Sequence, residues 1–341
     1  MSEPARVETA PGRTASVEAI PLESERLRAA PVLVTGAAGF VGSWLVPVLL
    51  DAGIQVVAIA RPGEATGDPR ARWHAVDLTG AEAVRDVVAA ALPSAVVHLA
   101  AMAVPRDAQA EPAAAERINV GAVDVMLRAL ADTAPKARLL YVSSGEVYGR
   151  RSRDAASAVE TDPLAPEGVY ARTKAAAESS VARARTELGL DVVCARPFNH
   201  TGPGRPARYA EASFARQIAR AERGEQAPRV RVGNLDAVRD YSDVRDVVGA
   251  YLQLLDHGAP GETYNVCSGT GRTIRTVLET LVAMADRPIA IETDPARYEP
   301  TPGDRVALIG DPARLRGLGW VPSRSFEATL RDVLEDWRTR A

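Results

Sequence analysis

Tyr170 and Lys174 set a phenol and an ammonium four residues apart in the segment Tyr170-Ala-Arg-Thr-Lys174. On a helix that spacing places both side chains on one face. An ammonium beside a phenol lowers its pKa toward working pH, which suits proton exchange with a carbonyl/alcohol couple. A second hydroxyl comes from Ser144, in Ser143-Ser-Gly-Glu-Val-Tyr-Gly149, directly after the apolar run Leu139 to Val142. Ligands of open α/β sheets meet the C-terminal ends of strands. Ser144 is therefore placed to donate a hydrogen bond to a substrate carbonyl or alkoxide.

Such chemistry needs a hydride carrier, and the segment Gly36-Ala-Ala-Gly39-Phe40-Val41-Gly42 offers it a seat. It follows the strand-like Val32-Leu-Val-Thr35 and opens a helix-like stretch. Glycines at these places let backbone N–H groups approach a pyrophosphate, and the helix N-terminus adds a partial positive charge. The second strand ends Val56-Val-Ala-Ile-Ala-Arg61, with no carboxylate between Gly53 and Pro62. A carboxylate there would bind the ribose 2′-hydroxyl of NAD, whereas an arginine suits a 2′-phosphate. Arg61 thus predicts a preference for NADP(H), with NAD(H) possible. Asp77-Leu78 closes a third strand-like region near the adenine. Leu99-Ala100-Ala101 closes the fourth, and small residues there leave room for the cofactor. Lys174 is also suited to hold the nicotinamide ribose.

The elements that must position these groups alternate along the chain. Apolar runs at Val32 to Val34, Val56 to Ile59, Ala95 to Leu99, Leu139 to Val142 and Val192 to Ala195 read as buried parallel strands. Val41 to Asp51, Ala81 to Leu92, Asn119 to Thr133 and Thr173 to Leu188 read as helices. This is the pattern of an α/β Rossmann fold, a doubly wound parallel sheet. After Arg196 the alternation breaks at Pro197, Pro203, Gly204 and Pro206, and a smaller, mixed C-terminal lobe for substrate follows. The expected organisation is a flexible leader over 1–29, a dinucleotide domain over 30–200 plus about 235–258, and a substrate domain over about 201–234 plus 259–341. The 341 residues carry 41 Lys+Arg against 44 Asp+Glu, a balance that argues against a nucleic-acid partner. Two cysteines, Cys194 and Cys267, are too few for a disulfide framework or a thiolate metal site. No metal is expected, and a reduced cytoplasmic setting is. No apolar run reaches the length of a membrane span, and no signal-peptide layout opens the chain.

Gly36/Gly39/Gly42, Ser144 and Tyr170/Lys174 together resemble the extended short-chain dehydrogenase/reductase family, the NAD-dependent epimerase/dehydratase type, which acts mostly on nucleotide sugars. The resemblance covers nearly the whole chain after about residue 30. Arg196-Pro-Phe-Asn-His-Thr-Gly-Pro-Gly204 is similar to a segment of GDP-mannose 4,6-dehydratases and GDP-4-keto-6-deoxymannose reductases. Gly233 to Asp246 resembles the same two groups, with the reductases the closer match, and Gly310-Asp-Pro-Ala-Arg-Leu with Gly319-Trp-Val-Pro322 completes the C-terminal signature. The resemblance implies that Asn199 contacts a sugar diphosphate and that Arg239 pairs with it; a surface ion pair of Arg239 with Asp236 or Asp240 is the plainer role. His200 reads as a polar residue shaping its loop. The resemblance also implies pro-S hydride transfer and a homodimer built on the helix after Asn119 and the one carrying Tyr170.

Two departures sharpen the reading. Dehydratases of the dTDP-glucose type carry Asp-Glu after the catalytic hydroxyl, and those of the GDP-mannose type keep the Glu. Here Gly145 and Glu146 follow Ser144, so the Glu alone is kept, and Ser rather than Thr at 144 leans toward the reductases. The phosphate arginine of the reductases falls at Thr301, and Arg305 is its replacement candidate, which leaves GDP or dTDP open as the nucleotide. The expected activity is NADPH-dependent reduction of an NDP-4-keto-6-deoxyhexose at C4. In that reaction Tyr170 is the proton donor, Ser144 fixes the carbonyl, Lys174 tunes the phenol, and Gly145, Glu146, Asn199, Arg239 and Arg305 line the sugar-nucleotide site. The alternatives are a 4-epimerase or 4,6-dehydratase that recycles a tightly held cofactor, and a nucleotide-binding regulator on a dead scaffold.

Overall fold

The computed structural model describes residues 24–64, 66–149, 151–152, 156–294 and 306–340. In chain order the first half holds α1 (Glu25–Ala29), β1 (Val32–Thr35), α2 (Gly42–Asp51), β2 (Val56–Ala60), β3 (Arg72–Ala75), α3 (Ala81–Ala91), β4 (Ala95–His98), α4 (Pro105–Ala110), α5 (Pro112–Glu116), α6 (Ala122–Thr133), β5 (Arg138–Val142) and β6 (Arg151–Ser152). The second half holds α7 (Gly168–Leu188), β7 (Asp191–Pro197), β8 (Asn199–Thr201), α8 (Ala210–Glu222), β9 (Arg229–Val232), β10 (Val238–Asp243), α9 (Val244–His257), β11 (Thr263–Val266), β12 (Gly271–Thr273), α10 (Ile274–Ala283), β13 (Ala290–Thr293), β14 (Val306–Leu308), α11 (Ala313–Arg316) and α12 (Phe326–Thr339).

The chain forms two compact units and passes from one to the other five times. Unit 1 comprises residues 1–142, 176–194 and 254–262, and unit 2 the remainder. The sequence alone places boundaries near residues 200, 234 and 258, because periodicity reports local element type and not which body an element joins.

Unit 1 is built on a parallel sheet. Val32 pairs with Val56 on one side and Ala95 on the other, Val57 with Arg72, and Ala95 with Arg138. The order runs β5-β4-β1-β2-β3, with the first residues of β7 beyond β5. β1, β2, β4 and β5 are buried throughout. Strands covered on both faces need continuous apolar runs, which these are. The edge strand β3 (Arg-Trp-His-Ala) is half exposed. Val84 and Val88 of α3, Val123, Met126, Leu127 and Leu130 of α6, and Ala177, Val181 and Ala184 of α7 share one core with Leu33, Val57 and Ile59. Each buried Val or Leu contributes about 1.5–3 kcal/mol. The strand order reverses between β1 and β4, the place where ligands meet a doubly wound sheet.

The sequence reading runs one helix from Asn119, but the structure inserts a π turn at Arg117–Gly121 before α6. Asn119 is buried, and its side-chain oxygen accepts from the Met102 N–H at 2.7 Å. The expected leader meets a structured end: Glu25–Ala29 is a helix capped by Ser24, Leu27 is fully buried, and Arg26 lies 2.9 Å from Asp191. The rest of the leader lies outside the described residues. Asp191 also takes the buried Arg138 at 3.0 Å, whose guanidinium donates onward to the carbonyls of Leu254 and Leu255.

In unit 2, β10 is the hub. It pairs in parallel with β8 and β14 and antiparallel with β12, while β6 lies antiparallel beyond β14. Phe214 and Ile218 of α8, Val277 and Leu281 of α10, and Leu330 and Val333 of α12 form its main core with Tyr241. The buried Asp243 ties α12 to β10. It accepts from the Arg245 guanidinium at 2.8 and 2.6 Å and from the Thr329 hydroxyl at 2.7 Å.

Candidate active site

β1 delivers the glycine turn in unit 1. Gly36 has φ +64, a conformation that costs other residues energy. A Cβ on Gly36 would lie 2.9 Å from the Ala100 nitrogen, and one on Gly42 would run into the Ala37 carbonyl oxygen. Both approaches are backbone to backbone, so neither can yield. The Gly39 N–H donates to the Gly36 carbonyl at 2.9 Å, and the Ser43 hydroxyl to the Phe40 carbonyl at 2.8 Å. Thr35 fastens the end of β4 beside this turn, since its carbonyl accepts from the Leu99 N–H at 3.3 Å and its hydroxyl from the Ala100 N–H at 3.2 Å. Gly36, Gly39, Phe40, Val41, Gly42, Leu99, Ala100 and Ala101 are thereby one local construction, and α2 begins at Gly42. A tight glycine turn that opens a helix fits the pyrophosphate of a dinucleotide.

The other cofactor candidates of unit 1 are engaged locally. Asp77 accepts from the Thr79 N–H at 2.9 Å and its hydroxyl at 2.8 Å, and these bonds hold its carboxyl below the usual range. Leu78 packs on the sheet core. Arg61, exposed at the end of β2, is bound by the Glu64 carboxylate at 2.7 Å.

In unit 2, Ser144 caps the short 3-10 turn Gly145–Tyr148, its Oγ accepting from the Glu146 N–H at 3.2 Å. A Cβ on Gly145 would lie 3.0 Å from three atoms of the Phe198 ring. That packing explains the glycine and leaves an aspartate no room without displacing the ring. Tyr148 anchors the turn by donating to the Asn265 side-chain oxygen at 2.7 Å and accepting from Arg196 at 2.8 Å. Burial pushes the Tyr148 phenol up to about 12.

The Ser144 hydroxyl lies beside the Tyr170 phenol and lowers its pKa. Burial drives the Tyr170 phenol well above its ordinary value, Ser144 and Arg205 pull it back, and Glu146 and Tyr209 push it up. Lys174 follows one helical turn later and is 3% exposed. The structure therefore brings Ser144, Glu146 and Tyr170 together, and it adds Arg205 and Tyr209, which sequence reading missed. The buried Arg205 guanidinium lies 3.4 Å over the Tyr209 ring and 3.5 Å from Glu211. Only the four-residue spacing of cation and ring within a proline-rich segment hinted at it. His200 points back into its own loop, its Nδ1 3.0 Å from the Phe198 carbonyl. Burial and Arg205 lower its pKa to about 4, so the imidazole is neutral at working pH.

Asn199 and Arg239 share one face of paired strands, because Asn199 is in register with Tyr241, two residues after Arg239. The Arg239 guanidinium donates to the Val238 carbonyl at 2.9 Å. Among the described residues the carboxylates of Asp236 and Asp240 meet other partners. Asp236 faces Arg275 at 3.6 Å, and the fully buried Asp240 takes the Ser268 N–H and hydroxyl and the Gly269 N–H. Arg272 stands opposite Arg239 on β12, over the Phe326 ring at 4.3 Å. Nothing in the sequence pairs these arginines, since register is a property of the folded sheet. Arg305 lies outside the described residues.

A glycine turn of dinucleotide-binding type and a Ser/Tyr/Lys set define a nucleotide-dependent oxidoreductase of the short-chain class. The chain belongs to the NAD dependent epimerase/dehydratase family, whose pattern matches residues 32–267. It is 38% identical to the GDP-6-deoxy-D-mannose reductase of Pseudomonas aeruginosa over 91% of this chain and 97% of that protein. It is 28% identical to the dTDP-glucose 4,6-dehydratase of Escherichia coli over 89% of this chain and 92% of that protein. Among solved structures, RMD from Pseudomonas aeruginosa complexed with NADPH superposes with a TM-score of 0.82 at 37% identity, covering 92% of this chain and 100% of that one. The UDP-glucose 4-epimerase of Thermus thermophilus in complex with NAD gives a TM-score of 0.82 at 27% identity, covering 91% of this chain and 100% of that one. Among the described residues no helix is long and apolar enough to cross a membrane.

Proposed function

We propose that this chain is an NADPH-dependent reductase of an NDP-4-keto-6-deoxyhexose. The carrying observation is the placement of the Ser144 hydroxyl, which caps the Gly145–Tyr148 turn, beside the Tyr170 phenol. Reduction of a ketone to an alcohol consumes a proton, and a phenol carries one through neutral pH. The reduced nicotinamide supplies the hydride to C4. Tyr170 donates its proton to the forming alkoxide. Ser144 accepts from the Glu146 N–H and turns its single O–H from the phenol to the sugar carbonyl when substrate binds. Lys174, one helical turn after Tyr170, supplies a donor for the ribose, while Arg205 is the cation that lowers the phenol pKa. Gly36, Gly39 and Gly42 hold the pyrophosphate, and Arg61 the 2′-phosphate. Asn199, Arg239 and, through position, Glu146 serve the sugar diphosphate and sugar.

Phe198 packed on Gly145 favours a reductase over a dehydratase of the dTDP-glucose type, which needs an acid there. The 38% identity to a GDP-sugar reductase favours guanosine as the base. Glu146 beside Tyr170 keeps a second reading in play, a 4-epimerase or 4,6-dehydratase with recycled cofactor. We also place the enzyme in the cytoplasm, in keeping with two buried free thiols, as a homodimer whose mass light scattering would report. The deciding experiment mixes the protein and NADPH with GDP-4-keto-6-deoxymannose and, separately, with dTDP-4-keto-6-deoxyglucose. Stoichiometric loss of NADPH absorbance and a single C4 alcohol by NMR are expected with at least one. Product formed without net NADPH loss, or turnover of neither sugar, overturns the proposal.

A further inference from the structure

The loop after β2 carries an anion receptor whose seat is filled from within the chain. Arg61-Pro62-Gly63-Glu64 is a closed β-turn, with the Glu64 N–H donating to the Arg61 carbonyl at 3.0 Å and Gly63 at φ +85. Proline at the second corner and glycine at the third are the residues that such a turn demands. The turn folds Glu64 back on Arg61. Its carboxylate accepts from the Arg61 backbone N–H at 3.0 Å, from Nε at 2.9 Å and from Nη2 at 2.7 Å. A backbone N–H and the two donors of one guanidinium edge converging on one anion are what a phosphate monoester also requires. The neighbouring Arg70 is held elsewhere, by Asp68 at 2.6 Å and Asp51 at 2.8 Å.

We infer that Glu64 is an internal competitor for the adenosine 2′-phosphate and sets how strongly the site prefers NADPH over NADH. The inference rests on the reading of Arg61 as the partner of that phosphate. Arg61 is 78% exposed at its side chain and Glu64 33%, so the pair opens into water at little cost. A 2′-phosphate brings more negative charge than one carboxylate and takes the fork. The displaced Glu64 stays tethered three residues away and still repels it. NADH brings no anion to the seat, so Glu64 remains in place when NADH binds.

The test is calorimetric binding, with no turnover, of NADPH, NADH, 2′,5′-ADP and 5′-AMP to the parent, Glu64→Gln, Arg61→Ala and the double variant. Glu64→Gln is expected to bind NADPH and 2′,5′-ADP about fivefold tighter, equivalent to about 1 kcal/mol. NADH and 5′-AMP should change less than twofold. In the Arg61→Ala background the Glu64 effect should vanish. If Arg61→Ala leaves NADPH affinity untouched, the 2′-phosphate reading of Arg61 itself is wrong. If Arg61→Ala weakens NADPH but Glu64→Gln leaves it equal or weaker, Glu64 positions the guanidinium instead, and the competitor role alone falls. A fivefold gain that persists without Arg61, or an NADH loss beyond twofold, also overturns it.

Discussion

Replacing Ser144 by alanine separates two jobs that one oxygen performs. The Oγ accepts from the Glu146 N–H at 3.2 Å, which caps the Gly145–Tyr148 turn, and it faces the Tyr170 phenol. Loss of a serine cap costs about 1 kcal/mol, and the Tyr148–Asn265–Arg196 bonds remain to hold the turn. For a chain of this size that is a fall of only about 2 °C in Tm. Loss of a donor aimed at the developing oxyanion costs more, about 2.7–4 kcal/mol, or 10²–10³ in kcat. Ser144 also pulls the Tyr170 pKa down, so Ser144→Ala lifts it further and leaves the phenol protonated over a still wider pH range. The assays are stopped-flow NADPH oxidation with keto-sugar, thermal melts, and NADPH titration of the apo-protein. Ser144→Ala should lose 10²–10³ in kcat with NADPH affinity within twofold, and Ser144→Thr should recover most of it. Tyr170→Phe should be at least as damaging, and the double variant little worse than the worse single, because the two act as a unit. Fully additive losses, or a Ser144→Ala enzyme within fivefold of the parent, refute convergence of the two hydroxyls on one carbonyl.

Gly36→Ala should weaken NADPH binding more than tenfold in fluorescence titration, since the new methyl meets the Ala100 backbone at 2.9 Å in a left-handed conformation; unchanged affinity would remove the turn from the cofactor site. Arg239→Gln should raise KM for the nucleotide sugar 10–100-fold with kcat nearly kept, the loss of a charged hydrogen bond of about 1.5–3 kcal/mol; an effect on kcat alone contradicts a diphosphate role. His200, with a folded pKa of about 4 against the ordinary 6.5, is neutral when folded while the unfolded chain takes up the proton first. Its contribution is present above about pH 6.5 and is lost as pH falls toward 4, at most about 2 kcal/mol between pH 7 and 5. His200→Gln should therefore narrow the Tm gap between pH 7 and 5 by up to about 4 °C, and an undiminished gap would assign the acid lability to other groups.

The sheet of unit 1 was legible because a strand covered on both faces must be apolar throughout, and β1, β2, β4 and β5 are. The glycine turn was legible for a similar reason, since backbone crowding at Gly36 and Gly42 admits no other residue. The Ser144–Tyr170 partnership followed from their element types. What stayed hidden depends on side chains meeting across the chain. Asn119 turns inward to Met102 and widens the helix locally, which no periodicity records. The burial of Asp240, which frees Arg239 from a neighbour one residue away, depends on the Ser268–Gly269 turn closing over it. Glu64 lies beyond the end of β2, where a ribose-binding carboxylate would stand, and Pro62-Gly63 is the sign in the sequence that it folds back.

Each of the two bodies is made of three separate stretches of chain, and the first is finished only by residues 254–262. A ribosome has therefore released about three quarters of the polypeptide before the parallel sheet has all of its supports, and Arg138 waits for the carbonyls of Leu254 and Leu255 until then. No single cut yields two autonomous halves. Truncations ending before Leu254 should come out of cells as aggregates, and proteolytic nicks at any of the five crossings should leave fragments that co-elute until denatured.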